Sequence, residues 1–430
     1  MSEVKSANQQ PESSERQAQE STKRLRTTAA VSAHQKEWFT KTRERINAGE
    51  PLAITNEGEL EEIFMVMDIP TIGVHWWSAN IAAHKMSAYY FDLLDEKGYD
   101  ACRYCALPLG CTMDHNPELA PWGGLPRPTV IAGGGVPGST CDALNKINEL
   151  WAREYNAFVF PLEVTQPTKR YSLSWERIKD HWDEVIEPHR IDLRVEGLKE
   201  LIRFLEITTG KTFSMAKLRE VMELVNELNE YLSKVNDLIG ETVPCPVSTA
   251  EENSVYRIQW HRGTQAGLDL AKMLYEEVKE RVDNGVGAYE NEKLRLRWMG
   301  VGLWHNTAFW RYFEEKYGAV FVGGYMGVAE AYIRKILNND PLRALAGRSL
   351  FLLRSGPEWA VEQAKKFKIN GVVQLAAQRC RVSTAPLTRM VLEKAGIPVL
   401  PIYVDNVDAR TWDDAKIKSL VSNFIETRLS

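Results

Sequence analysis

The sequence predicts an α/β protein in which two parallel-sheet lobes flank a helical segment, and three observations carry that prediction. Short β-branched runs alternate with amphipathic stretches between residues 50 and 170. The same alternation returns after residue 292. Between them, from 171 to about 285, long helical periodicity takes over. Strands alternating with helices signal a mostly parallel sheet, because a parallel pair needs a crossover between its strands. At 430 residues the chain also exceeds what one hydrophobic core organises.

Residues 1–35 begin with a Ser-, Gln- and Glu-rich stretch and read as a disordered, solvated tail. That stretch has no apolar core and is no secretory signal, which makes the cytoplasm the expected location. The first lobe is expected over 36–170. It starts with the helix "AHQKEWFTKTRERINAG", closed by Gly49 as a C-cap. A helix, a break at Pro70 and a short strand follow in "GELEEIFMVMDIPTIGVHWW". Ser78 is the expected N-cap of the next helix, which runs to near Gly98. "PTVIAGGG" is a strand entering a glycine turn, "STCDALNKINELWAREY" a helix with Ser139 as cap, and "AFVFPLEV" a strand.

The helical segment is expected over 171–290. Its clearest member carries Leu218, Val221, Met222, Val225, Leu228 and Leu232 on one face, read as a core stripe. "PCPVSTAEENS" reads as a polar connector. The second lobe, 291–430, runs strand "KLRLRWMG", helix "TAFWRYFEEKYG", strand "AVFVGGY", helices near 327–337 and 357–367, strand "GVVQLAA", helix "APLTRMVLEKAG" and strand "IPVLPIYVD". Both lobes are therefore expected to be flavodoxin- or Rossmann-like. No repeat of 20–50 residues is visible.

Composition narrows the partners. The net charge of −5 and the lack of a basic stripe argue against nucleic acid. No apolar run approaches the ~20 residues of a membrane span. Six cysteines in a cytoplasmic chain read as buried thiols, metal ligands or redox groups rather than disulfides.

"GGGVPG" at 133–138 matches G-x-G-x-x-G after a strand, but it reads as a decoy for a dinucleotide site. Pro137 removes an amide donor, and the acidic residue expected about 20 positions on is missing, with Glu163 too far along. Gly135 and Gly138 instead let the backbone pass close to a bulky group, next to Cys141. Cys141 and Cys380 each follow a strand and open a helix, one in each lobe, where α/β sheets bind ligands. Cys102 lies on the segment leading to the first of these strands, so three loops can converge between the lobes. A structural zinc needs a second C-x-x-C beside Cys102 and Cys105, and the chain has none. Thiolates without that second pair suit an iron–sulfur cluster with an incomplete protein shell. The bland reading, buried cysteines as small core hydrophobes, stays open for each.

At these residues the sequence resembles the 2-hydroxyacyl-CoA dehydratase and benzoyl-CoA reductase family, most of all the larger catalytic subunit of benzoyl-CoA reductase. "DACRYCALPLG", "PRPTVIAGGGVPGSTCDALNKINELWAREY" and "INGVVQLAAQRCRVSTAP" are similar to its three cluster-cysteine segments. "KLRLRWMGVGLW" and "VYRIQWHRGTQAG" also resemble family segments. The resemblance implies a [4Fe–4S] cluster on Cys102, Cys141 and Cys380, acyl-CoA substrates, and a partner subunit that is related or identical. It also implies a separate ATP-hydrolysing iron–sulfur activator and single-electron, ketyl-type reduction or dehydration of the acyl-CoA. No G-x-x-x-x-G-K-[ST] occurs here, in keeping with nucleotide hydrolysis on another chain. Such chemistry needs a positioned acid, for which His75, His115 and Glu62 are the candidates. His75, beside Trp76 and Trp77, reads more readily as a hydrogen-bonded structural residue. Cys105 and Cys111 depart from the family pattern and are expected as alternative ligands or as part of a larger centre. That leaves open a double-cubane reductase of small molecules, and a non-catalytic scaffold subunit with inert thiols.

Overall fold

The computed structural model describes residues 25–55, 61–132, 142–162, 181–323, 332–352, 357–376 and 385–429. The two lobes are there. One sheet contains β1 (Ala53–Thr55), β2 (Thr71–Gly73), β3 (Val130–Ala132) and β4 (Phe158–Phe160), in the order β2-β1-β3-β4 and all parallel. The other contains β5 (Leu294–Met299), β6 (Ala319–Phe321), β7 (Gly371–Leu375) and β8 (Val399–Ile402), in the order β6-β5-β7-β8, again all parallel. Every residue of β1, β3 and β7 is buried. That is why β3 reads as an unbroken apolar run: parallel sheets are covered on both faces. Phe158, on the edge strand β4, is 52% exposed.

The order second–first–third–fourth is the flavodoxin-like arrangement, and its consequence is geometric. The direction in which successive strands are added across the sheet reverses between the first and third strands, opening a crevice at their carboxyl ends. β3 and β7 each end beside such a crevice. Cys141 and Cys380 follow β3 and β7 in the chain, and both lie outside the described residues, as do Gly135, Gly138 and Ser139.

Three long helices, Pro188–Thr209, Met215–Glu241 and Gln265–Asp283, form the helical segment. In Met215–Glu241, Leu218, Met222, Val225, Leu228 and Leu232 are all buried, and Val221 is half-buried, so the stripe is core. Only part of the expected polar connector is a connector: Ser248 and Glu251 form a capping box that starts the helix Thr249–Val255.

Two further differences have clear causes. The first helix starts at Thr27, inside the segment expected to be tail. Leu25 and Val31 pack into the core of the helical segment. The Glu277 carboxylate accepts from the Thr27 amide at 2.9 Å, the Thr27 hydroxyl at 2.7 Å and the Arg26 amide at 2.6 Å. Burial alone would favour its neutral acid, but these hydrogen bonds hold it below the usual carboxylate range. The other difference is that the single helix expected from Ser78 is two, Val74–Ala83 and Ser87–Glu96. Lys85, at φ 61°, makes the turn between them. No glycine announces that turn, and the Lys85 ammonium donates to the His305 carbonyl of the other lobe. Among the described residues, no helix is long and apolar enough to cross a membrane.

Candidate functional site

The segment "RYCALPLGCTM" forms the helix Arg103–Met113, with Cys102 as its N-cap at φ −55° and ψ 120°. Pro108 sits inside it. A proline has no N–H to give the carbonyl four residues back, here that of Tyr104. The Ser78 hydroxyl, which also reaches the Val74 carbonyl, donates to Tyr104 O instead. Ser78 is thus a tie between two helices rather than a cap, and it locks Val74–Ala83 against the N-terminal turn of Arg103–Met113. Arg103 adds a two-pronged pair with Asp95, at 2.9 and 3.0 Å, while lying over the Phe91 ring.

This lock brings His75 to the cysteines. His75 lies in the first turn after β2, its ring stacked on Tyr104 at 4.6 Å, with Nε2 3.6 Å from Cys105 Sγ. The Cys102 thiol is brought down to about 6, first by a hydrogen bond from Cys105. Burial opposes the shift, while the amides of Cys105 and Tyr104 and the charge of His75 add to it. A half-buried N-cap sulfur that is thiolate at neutral pH has the donor chemistry of an iron–sulfur ligand.

The second lobe closes over the same face. Trp304, in the loop after β5, donates its indole N–H to Tyr104 Oη at 3.1 Å. Tyr256 packs on Trp304 at 6.0 Å and on Trp260 at 5.7 Å. From the loop after β8, Arg410 pairs with Asp92 at 3.0 Å, and Val407 enters the first lobe's core. Cys102 therefore stands beside an aromatic wall built from both lobes and the helical segment.

Other expected site residues lie elsewhere. Cys111 is nine positions along the helix from Cys102, about 13 Å at 1.5 Å per residue. Its thiol is pushed up by burial, facing Trp77 and Tyr90. His115 is exposed, beyond the far end of that helix. Neither is brought to Cys102. Glu62 is buried in a different core, accepting from Tyr332 Oη at 2.6 Å with Arg348 Nη1 at 3.7 Å. Tyr332 is itself held by Asn226, whose side chain exchanges hydrogen bonds with its backbone at 2.6 and 3.2 Å. Cys245 is a core thiol, raised far above its usual range by burial, and it donates to Val247 O at 2.9 Å. Among the described residues, no group of three or more His, Cys, Asp or Glu side chains could hold a metal ion.

His261, under the aromatic wall, was not singled out by the sequence. It is 2% exposed, bonded to Gln35 Oε1 at 3.2 Å and edge-on to His34 at 4.4 Å. Burial chiefly, then His34 and Arg257, push it down to about 3. The unfolded chain takes up this proton near pH 6.5 and the folded chain only near 3, so stability declines as pH falls between them. The limiting slope is about 1.4 kcal/mol per pH unit. Denaturant unfolding from pH 7 to 4 is expected to show this loss, and His261→Gln to flatten it. An unchanged slope in the variant would show that His261 is protonated without strain in the folded chain.

A family model described as "2-hydroxyglutaryl-CoA dehydratase, D-component" matches residues 61–427. The chain is 22% identical over 388 residues to the (R)-2-hydroxyisocaproyl-CoA dehydratase alpha subunit of Clostridioides difficile, covering 88% of this chain and 90% of that one. It is 20% identical over 403 residues to the lactoyl-CoA dehydratase subunit alpha of Anaerotignum propionicum, covering 85% and 87%. To the (R)-phenyllactyl-CoA dehydratase alpha subunit of Clostridium sporogenes it is 24% identical over 266 residues, covering 58% and 62%. The expected resemblance is thus borne out for the dehydratases. The narrower likeness to benzoyl-CoA reductase is not among these findings.

Proposed function

The chain belongs to the family of the 2-hydroxyglutaryl-CoA dehydratase D-component, and on that footing we propose that it is the iron–sulfur subunit of a dehydratase-type enzyme acting on an acyl-CoA thioester. The observation that carries this reading is Cys102, a thiol drawn down to about 6 at a helix N-terminus on the face where the lobes meet. Cys102, Cys141 and Cys380 would hold a [4Fe–4S] cluster. When bound, such a cluster supplies low-potential single electrons and an iron able to polarise the thioester carbonyl.

The chain's own residues do the rest. Tyr104, Trp304 and Tyr256 form an aromatic wall that excludes water and receives the acyl group. His75, its ring plane fixed by Tyr104, carries on Nε2 a proton for a departing hydroxyl. Glu62, enclosed by Tyr332 and Arg348, anchors the helix Glu61–Val66, which follows β1 in the chain.

The relatives are named as alpha subunits, which supports a second subunit here. The electron source in this proposal is a separate ATP-hydrolysing activator, and the setting is the reducing cytoplasm. A second reading, reduction of an aromatic acyl-CoA ring, is favoured by the aromatic wall, which suits a planar group.

Anaerobic purification with co-purifying partners, followed by iron and sulfide analysis, tests the proposal. About four irons per chain, with loss of water from a 2-hydroxyacyl-CoA on adding activator and ATP, is the expected result. About eight irons selects the double cubane instead. A colourless chain without iron overturns the proposal in favour of a scaffold subunit.

A further inference from the structure

Cys102 and Cys105 are placed for a reaction that a ligand role does not use. Cys102 is the N-cap and Cys105 the third residue of the helix Arg103–Met113. N-cap and N3 are the two positions whose side chains meet in a capping box. Helical residues three apart hold their Cβ atoms about 5–6 Å apart. The extended ψ of 120° at Cys102 frees its side chain to swing over the first turn. A disulfide asks for Cβ atoms ~3.5–4.5 Å apart, so the closure required is small. Cys102 is half-buried while Cys105 is 3% exposed, so a reachable sulfur stands in front of a sheltered one. Cys111, on the same helix, is about 13 Å from Cys102 and out of its reach.

We propose that Cys102 and Cys105 form a reversible dithiol–disulfide pair that closes whenever Cys102 is not engaged as a ligand, with a low-molecular-weight disulfide as oxidant. The Cys102 sulfur attacks the small disulfide, forming a mixed disulfide and expelling one thiolate. Cys105 Sγ then attacks the Cys102 sulfur, and the second small thiolate leaves. The protons of the two cysteines end on the two released thiols, with His75 Nε2, 3.6 Å from Cys105 Sγ, placed to carry one of them. The dithiol loses two electrons and the small disulfide gains them. Closure shields Cys102 from irreversible oxidation to sulfinic acid, and it also withdraws that sulfur from any metal until the bond is reduced.

The test uses the full chain, iron-replete and iron-depleted, in mixtures of oxidised and reduced glutathione, with acid quenching, alkylation and peptide mass spectrometry. In oxidised glutathione the iron-depleted chain is expected to lose alkylation at Cys102 and Cys105 together, and reduced glutathione to restore both. Cys105→Ser is expected to carry at least about tenfold more glutathione on Cys102 than the wild type, because the intramolecular resolving step is gone. Cys111→Ser is expected to behave as wild type. Equal glutathione adduct in wild type and Cys105→Ser overturns the proposal, as does full alkylation of both cysteines at every ratio. Iron decides a separate matter: a chain that never binds iron yet closes this disulfide refutes the cluster reading and leaves the dithiol standing.

Discussion

Cys102→Ala is expected to lose most of the iron that the anaerobically purified wild-type chain carries, while Cys245→Ala keeps it. Cys102 is the described thiol with a lowered proton affinity, fixed on the face between the lobes by the Ser78 tie and the Arg103–Asp95 pair. Removing even a residue that merely orients a metal ligand costs about 10–100-fold in affinity, so losing the ligand itself is expected to cost at least that. Cys245 differs in every respect: it is fully buried, its neutral thiol is bonded to Val247 O, and its loss leaves a small cavity far from that face. Cys111→Ser is expected to resemble Cys245→Ala, because about 13 Å of helix separates it from Cys102. Iron and sulfide per chain are the measurement. Equal iron in Cys102→Ala and Cys245→Ala would contradict the ligand assignment.

Glu62→Ala is expected to lower unfolding stability by about 3–5 kcal/mol, the usual cost of removing one partner from a buried ion pair. Glu62 is 1% exposed, and its loss leaves Arg348 without the carboxylate 3.7 Å away and the Tyr332 hydroxyl without its acceptor. That is a large share of the 5–15 kcal/mol that typically separates folded from unfolded states. Glu62→Gln keeps an acceptor for Tyr332 and is expected to recover part of the loss. Denaturant midpoints separate this anchoring role from a catalytic one. If both variants unfold at the wild-type midpoint yet lose turnover, Glu62 acts on substrate and not on the fold.

What the sequence revealed, and what it hid, divides along physical lines. The helix Met215–Glu241 was legible because burial imposes a stripe of period 3.6, and β3 because burial on both faces imposes an unbroken apolar run. β1 was missed because Ala53–Thr55 is too short to show either pattern. The helix Arg103–Met113 was hidden by Pro108 and Gly110, ordinarily turn residues. Proline is tolerated there because Ser78, 30 positions before it, satisfies the freed carbonyl, a compensation no local window contains. Cys102 was found through its motif. Its contacts with Cys105 and His75, and the bond from Trp304 to Tyr104, arise from tertiary docking and leave no mark on the sequence.

The shared strand order gives each half of the chain the same set of addresses. The third strand of each sheet lies in its interior, flanked on both sides by neighbouring strands, whereas the second and fourth have one neighbour each. Insertions and substitutions beyond the edge strands can therefore be absorbed without shifting the inner strands. Such a layout leaves the periphery of each lobe free to vary while its central strands keep their positions.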